Sequence, residues 1–462
     1  MFKDIYEKSP KSIKSLMRET HSFIPFPYVD GFSFAFQYNR LLKSQWWNEE
    51  KLNKIQNNRL HSVLNHAYKN VPFYKQKFDE YGISPDDIKS KEDLRILPII
   101  KKNDVRKNPE KMLAVNASKF RPFQFESGGT TGSPLKFYRD KNSKIIRDAA
   151  YWRAKLWSDY NYGERWIVMR YALFQDSKKE IPYSFNIMGN MMLLSSFHLK
   201  IENIGRYLDI IQGFKPKAIF GFPSTLYVIA KYILNNNINL NLSLKTIFTS
   251  SETLFSSYRE IIEEAFGCKI FDWYGSNEAI VSAGQCEYGG YHISEYGIIE
   301  IVDLKGRVCN PGKKGKVVAT SLYNYAMPFI RYELGDIACL SNKKCSCGRG
   351  LTLLESIQGR LDDVIITKDE SLVGRLDEAF HYSKGIKESQ ILQNEIGKIT
   401  VKIIKEDYFS EKDTKILDKE LMKRLGYDMD INYEFVDQIP RTRRGKYRFV
   451  VSSIIKDYLD QI

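Results

Sequence analysis

Glu126-Ser127-Gly128-Gly129-Thr130-Thr131-Gly132-Ser133-Pro134-Leu135-Lys136 is the stretch whose reading decides the fold. Seven consecutive positions, 127–133, hold three glycines, two serines and two threonines. Glycine lets backbone N–H groups approach an anion and accepts positive φ. The hydroxyls add rotatable donors. Such a loop can cradle a polyphosphate in a nest of N–H groups. Phe123 and Phe125 precede it, and Leu135, Phe137 and Tyr138 follow, so the segment reads as strand–loop–strand. No Gly-Lys-Ser/Thr closes it, which excludes a Walker loop, and it lacks the dinucleotide Gly-x-Gly-x-x-Gly. Composition alone also fits an ordinary turn between two strands.

Working outward, the C-terminal side alternates strand and helix patterns. Trp166 to Met169 and Lys269 to Asp272 read as short strands, Lys217 to Pro223 ends another in a Gly/Pro turn, and Thr246 to Glu252 is a further strand-like stretch. Leu226 to Leu234 and Tyr258 to Phe266 read as helices between them. This alternation predicts a parallel sheet with crossover helices. Ligands in such sheets bind at the carboxyl ends of strands. The loops at Gly221 to Ser224, Ser250 to Glu252 and Tyr274 to Glu278 therefore stand out. Residues 297–340 look β-rich and antiparallel.

On the N-terminal side, residues 1–115 read as mostly helical. Leu52, Ile55, Leu60, Val63, Leu64 and Ala67 keep helical spacing. Asn70-Val71-Pro72-Phe73-Tyr74 breaks that helix. Beyond Gly359-Arg360-Leu361-Asp362-Asp363 the composition shifts. Strands at Ile399 to Ile404 and Asn432 to Val436 flank a lysine-rich helix, Lys412 to Leu425. The expected class is α/β: a large domain, 1–358, with a helical layer at 1–115 and a β-rich part at 297–358. A hinge at 359–363 and a small α+β domain at 364–462 complete it.

The chain of 462 residues is too long for one core. Its 29 Tyr and 27 Phe argue against disorder. The net charge of +14 suits anionic substrates, a membrane surface or nucleic acid, but the lysines are spread over the whole length. No signal peptide is visible and no apolar run approaches the ~20 residues of a membrane span. All six cysteines lie between Cys268 and Cys347. Clustered thiols without a secretion signal suggest metal or spare core thiols and a cytoplasmic chain.

Further motifs carry chemistry. In Asp272-Trp273-Tyr274-Gly275-Ser276-Asn277-Glu278 the Tyr274 ring can stack on a base. Glu278 can hold Mg²⁺ beside phosphate oxygens. In Ile330-Arg331-Tyr332-Glu333-Leu334-Gly335-Asp336, Asp336 can accept two hydrogen bonds from a ribose diol. The basic run Pro440 to Arg448 places Lys446 behind Gly445, where a lysine can neutralise charge developing on a phosphate. Each motif taken singly also fits a solvated turn. Cys286, His292, Cys345 and Cys347 offer three thiols and an imidazole, the set that tetrahedral Cys₃His zinc sites use. Cys268, Cys309 and Cys339 read as plain thiols.

In this order and spacing the five motifs resemble those of the adenylate-forming superfamily of acyl-CoA synthetases. His66-Ala67-Tyr68-Lys69-Asn70-Val71-Pro72-Phe73-Tyr74, Leu97-Pro98 with Lys101-Lys102, and Cys345-Ser346-Cys347-Gly348-Arg349 are similar to the phenylacetate–CoA ligase branch, and within it to relatives associated with capsular polysaccharide genes. The likeness spans about residue 40 to 455. It implies a large N-terminal domain and a small mobile C-terminal one. It also implies ATP-dependent formation of an acyl-AMP, then transfer to a thiol such as coenzyme A. By matching position, Ser127, Gly128, Gly129, Thr130, Thr131, Gly132 and Ser133 would bind phosphates, and Thr130, Glu278 and Lys446 would serve the chemistry. Ser251, Glu252 and Tyr274 would flank adenine, Gly275 and Ser276 would belong to the same ATP/AMP site, Asp336 would take the ribose, and Arg360 the ribose or phosphate. Asp362 would be the hinge, while Phe222 and Pro223 would line the acid pocket. His198 is a further pocket candidate, though a structural histidine fits it as well. Some relatives in the branch carry zinc at residues like the Cys/His set.

Two departures follow. Leu135 intervenes between Pro134 and Lys136. Ile365-Ile366-Thr367-Lys368-Asp369-Glu370-Ser371 lacks the usual glycine-bearing strand that meets a thiol acceptor. An amine acceptor, such as an amino sugar in polysaccharide assembly, is therefore kept as an alternative. So is a non-enzymatic nucleotide or nucleic-acid binder, although no nucleic acid is expected. The expected partners are a carboxylic acid, ATP and an acceptor, in a monomer or homodimer.

Overall fold

The structure is a computed structural model that describes residues 26–127, 135–170, 181, 183–186, 190–196, 198–252, 254, 256–303, 305–358, 364–370, 372–374, 376–440, 449–454 and 458. Among the described residues the first α-helices are α1 (Phe32–Ser44), α2 (Glu49–Asn70), α3 (Pro72–Tyr81) and α4 (Lys102–Lys107). Asn48 starts α2 by accepting from the Lys51 amide at 3.0 Å. Leu52, Leu60, Val63, Leu64 and Ala67 form its buried face. The break expected at residues 70–74 is real, but Pro72 also opens the next helix. Proline has no N–H to lose at a first helical position, and its φ is already suited to it.

The glycine-rich stretch sits between β1 (Phe123–Ser127) and β2 (Leu135–Arg139), an antiparallel pair closed by Ser127 opposite Leu135. Residues 128–134 lie outside the described residues. Helix α5 (Lys141–Leu156) follows, capped by the Asp140 carboxylate on the Ser143 amide at 2.7 Å. The chain then runs through β3 (Trp166–Arg170), β4 (Tyr183–Asn186), β5 (Met191–Ser195), α6 (Ile204–Phe214), β6 (Ala218–Gly221), α7 (Pro223–Asn235), β7 (Thr246–Ser250), α8 (Ser256–Phe266) and β8 (Ile270–Gly275). Next come β9 (Ser282–Gln285), β10 (Tyr291–Ile293), β11 (Gly297–Val302), β12 (Lys314–Ser321), β13 (Tyr332–Leu340) and β14 (Leu353–Gln358).

These strands form one sheet in the order β11-β12-β13-β14-β10-β9-β8-β7-β6-β3-β5-β4. From β5 to β8 the pairing is parallel, and from β8 to β11 it is antiparallel. The seam falls between β8 and β9, beside the Tyr274 loop. Alternation sets the two faces. Ile219, Ile247 and Ile270 are in register and pack with α6, α7 and α8. One position on, Phe220, Phe248 and Phe271 pack on the opposite face with Tyr160 and Trp166. The helical layer and β11–β13 share another core around Leu60, Val63, Tyr74, Phe329 and Tyr332.

The small unit holds the hairpin β15 (Val364–Ile366) and β16 (Leu372–Gly374), then β17 (Ile386–Glu395), β18 (Lys398–Lys405), α9 (Glu411–Leu425), β19 (Asp430–Phe435) and β20 (Val450–Ser452). Its four-stranded sheet runs β19-β18-β17-β20 over a core that includes Ile391, Val401, Leu417, Leu421 and Phe449. The α/β class expected from the sequence is the class observed, with a separate C-terminal core. Residues 359–363, expected from the sequence to form a hinge, with Arg360 and Asp362 among them, and Lys446 lie outside the described residues.

Candidate functional site

The sheet seam brings two of the sequence motifs together. Tyr274, near the end of β8, donates its hydroxyl to Asp336 Oδ2 at 2.9 Å. A bulge in β13 makes this contact possible. Lys316 pairs with Ile337 and Val318 with Glu333, so Leu334, Gly335 and Asp336 stand opposite the single residue Val317. The extra residues re-aim the side chain. Gly335 sits at φ +85°, a conformation that side-chain-bearing residues adopt at a cost.

Beyond Gly275 the chain turns through Ser276 and Asn277 to Glu278, and Ala279 takes φ +56°. Glu278 is buried and accepts from the Tyr332 hydroxyl at 3.3 Å, so β13 carries one candidate carboxylate, Asp336, and contacts the other. Asn277 donates to the Glu126 carbonyl at 3.1 Å. That bond ties the β8 loop to the stem of the glycine-rich hairpin. Asn277 lies inside a motif read from the sequence, yet its role as a tie was not read there, because it needs the fold to bring residue 126 close. The Ser276 hydroxyl is buried without a partner among the described residues. Gly128, Gly129, Thr130, Thr131 and Gly132 fall in the stretch outside the described residues, while Ser127 ends β1.

The loop after β7 holds Ser251 at φ +74°, with its hydroxyl 3.2 Å from that of Ser250. Backbone strain of this kind costs about 1–3 kcal/mol and collects at ligand sites. Glu252 accepts from the Ser224 amide at 3.0 Å, so it caps the first turn of α7. Phe222 is the N-cap residue of that helix and Pro223 opens it; both are buried. The three loops singled out from the sequence thus leave the carboxyl ends of the adjacent strands β6, β7 and β8. His198 follows β5, where its Nδ1 lies 3.1 Å from the Ser195 hydroxyl. Burial lowers the His198 pKa, and Asp369 of the small unit partly offsets this. Asp369 also pairs with Lys200 at 3.0 Å, which joins the β15–β16 turn to the large domain.

The second cluster lies at the far edge of β10. One ligand atom from each of Cys286, His292, Cys345 and Cys347 falls within 4.8 Å of the others. Cys286 Sγ is 3.5 Å from Cys345 Sγ, and Cys347 Sγ is 3.2 Å from His292 Nε2. Sulfurs sharing a tetrahedral zinc at ~2.3 Å stand ~3.8 Å apart, so this donor set fits that ion. Burial pushes the Cys286 thiol up to about 12, and the neighbouring thiols add to it. Burial, then the Arg349 charge, push His292 down to about 4, which leaves a lone pair on the ring. Gly290 leaves room for the cluster: a Cβ there would lie 3.2 Å from Cys345 Sγ and 2.7 Å from Leu353 Cδ1. Gly350 is tighter still, since a Cβ would collide with the Trp47 carbonyl.

Comparison with known proteins agrees with this layout. Residues 365–453 match the CapK C-terminal domain family model. Protein CapK of Staphylococcus aureus is 28% identical over 87% of this chain and 89% of its own. A phenylacetate-coenzyme A ligase of Thermus thermophilus is 27% identical over 87% of this chain and 96% of its own. The crystal structure of a 2-hydroxyisobutyryl-CoA ligase in complex with 2-HIB-AMP and CoA shares the fold at TM-score 0.61 and 21% identity, covering 91% of this chain and 94% of that one. Among the described residues no helix is long and apolar enough to cross a membrane. The order of the motifs, the two-core architecture and these likenesses together make the chain similar to CapK and to phenylacetate-coenzyme A ligases, with residues 365–453 matching the CapK C-terminal domain.

Proposed function

We propose that the protein activates a carboxylic acid with ATP and then passes the acyl group to the thiol of coenzyme A or a similar carrier. In the first step a carboxylate oxygen bonds to the α-phosphorus and the bond to the β-phosphate oxygen breaks. Pyrophosphate leaves with the electron pair. In the second step the thiolate sulfur bonds to the acyl carbon, the carbon–oxygen bond to AMP breaks, and the thiol proton passes to solvent. The carrying observation is the meeting of Tyr274, Glu278, Tyr332 and Asp336 at one sheet seam. An aromatic face, a diol acceptor and a buried carboxylate within one connected set suit a nucleotide.

Tyr274, with Ser251, Glu252, Gly275 and Ser276, is assigned to adenine and Asp336 to the ribose hydroxyls. The 127–133 loop, with Thr130, is assigned to the phosphates. Glu278 would hold Mg²⁺, which screens charge on the phosphates when bound. Arg360 near the ribose, Asp362 as hinge and Lys446 as the residue that neutralises charge in the first step complete the set. Phe222, Pro223 and His198 are assigned to the acid pocket. Such chemistry depends on positioning and electrostatics rather than a covalent nucleophile. The domains are read as 1–358 and 364–462, turning about 359–363 between the steps.

Cys286, His292, Cys345 and Cys347 are assigned to a closed, structural zinc site that joins the β9–β10 turn to the segment before β14. An amine acceptor is the second reading, favoured by the 365–371 departure and by the Lys200–Asp369 pair that occupies the same turn. The likeness to CapK supports a place in capsule or exopolysaccharide assembly. ATP–pyrophosphate exchange over a panel of carboxylic acids tests the first step, and Lys446→Ala should abolish it. No exchange with any acid would refute the reading. Undiminished exchange in Lys446→Ala would remove that assignment. Acceptor assays with coenzyme A and amino sugars then separate the two acceptors.

A further inference from the structure

Lys155, on the last turn of α5, is 1% exposed, and its Nζ has no hydrogen-bond partner among the described residues. It is walled by aromatic rings. Nζ lies 3.4 Å from the Trp166 centroid, 4.7 Å from those of Tyr151 and Trp152, 4.8 Å from Phe248 and 5.6 Å from Tyr160. Ring faces attract a cation but supply no acceptor oxygen. A buried amine without such a partner is costly, and burial, with Arg170 adding to it, pulls its pKa well down.

The same amine lines a cavity of about 10 Å³, bounded also by Tyr151, Phe220, Phe248, Phe271 and Trp273. This is room for about one water-sized group. Its position is what matters. Phe220 lies two residues before Phe222, and Trp273 directly precedes Tyr274. The cavity therefore lies beneath the loops assigned above to acid and adenine, at the carboxyl ends of β6, β7 and β8. The carboxyl in its lining, Asp272, is already held by the Thr249 and Tyr291 hydroxyls at 2.6 and 2.9 Å. Nearby charge is positive: the Arg170 guanidinium stands 5.3 Å over Phe220.

We infer that Lys155 is a specificity-determining residue and that the acid substrate carries a second acceptor oxygen at its far end, which fills this cavity and bonds to the Lys155 amine. The inference rests on the acid-activating reading above and names the substrate class for that site. The shared chemistry is a distal oxygen acceptor, from a second carboxylate, a hydroxyl or a keto group. A pocket that ends in an unsatisfied amine selects against a tail that ends in a methyl group, because the bare tail leaves the amine unpaired.

The test is ATP–pyrophosphate exchange on the full chain, with matched acids of equal length ending in carboxylate, hydroxyl, keto or methyl. The wild type should favour at least one oxygen-ended acid over its methyl-ended match by about a hundredfold or more in kcat/KM. Which arm wins identifies the acceptor. Lys155→Met should reverse that ratio while leaving the KM for ATP within about twofold, a split that loss of packing alone would not give. A wild type that prefers the methyl-ended acids overturns the inference alone, and needs no variant to fold. A folded Lys155→Met variant with an unchanged preference overturns it too. Absence of exchange with every acid overturns the parent reading and this one together.

Discussion

The Tyr274 hydroxyl and the Asp336 carboxylate meet at 2.9 Å, although their strands are separated in the sheet by β9, β10 and β14. The contact joins the proposed base and ribose positions into one unit. A hydrogen bond to a charged group contributes about 1.5–3 kcal/mol. Asp336→Asn should therefore raise the KM for ATP by about 10- to 100-fold, with a smaller change in kcat. Tyr274→Phe keeps the ring and should cost less. Initial-rate kinetics with ATP varied check both, and an unchanged KM in Asp336→Asn would move the ribose elsewhere.

The Cys/His cluster predicts metal. Protein prepared without chelator should contain about one equivalent of zinc, measured by elemental analysis, since the four donors suit a single closed site. Cys345→Ser should lose the metal and melt several degrees lower, because the free energy of metal binding is folding free energy. The loss should appear first as loosening of the segment around Trp47 and Gly350, which the close backbone approach links to the cluster.

Arg153 and Glu295 form a fully buried ion pair at 2.8 Å, reinforced by the Ser44 hydroxyl and the Leu41 carbonyl. It fastens α1 and α5 to the turn before β11. Removing one partner strands the other charge, so Glu295→Gln should lower stability by about 3–5 kcal/mol. Arg153→Met with Glu295→Leu should cost much less than the sum of the single changes. Denaturant titration of the cycle reads this directly.

His66 gives a pH signature. Its Nε2 lies 2.8 Å from the Tyr325 carbonyl, and burial lowers its pKa, against a smaller upward pull from that carbonyl and Asp140. The folded form thus prefers the neutral ring. The unfolded chain takes up the proton near the ordinary 6.5, so this contribution to stability is present above that value and is lost as pH falls below it through the folded pKa. Melting curves between pH 7.5 and 5 should show a steeper fall for the wild type than for His66→Gln (assay range set at about the ordinary histidine value).

The fold was most legible where one signal dominated. The apolar runs at 166–169 and 246–250 and the helices 256–266 and 411–425 were read within a few residues, because periodicity and turn chemistry agree there. β9 (Ser-Ala-Gly-Gln) and β10, only three residues long, carry no such signal. Their pairing is imposed by neighbours in the sheet. Tyr274, Glu278 and Asp336 were visible as motif residues, but not the β13 bulge that aims Asp336. Lys155 was invisible for a different reason: in the sequence it is one lysine among many, and only the packed rings around it set it apart.

Three residues of β13 stand opposite one of β12, so the direction of Asp336 depends on residue count as well as on the glycine at 335. Removing a single position between Glu333 and Asp336 would shrink the bulge and re-aim the carboxylate while the flanking pairs re-formed. The chain would still fold and still bury its core, yet it would lose the Tyr274 contact and with it the proposed hold on the ribose. A site built this way tolerates exchange of its neighbours far better than any change in length.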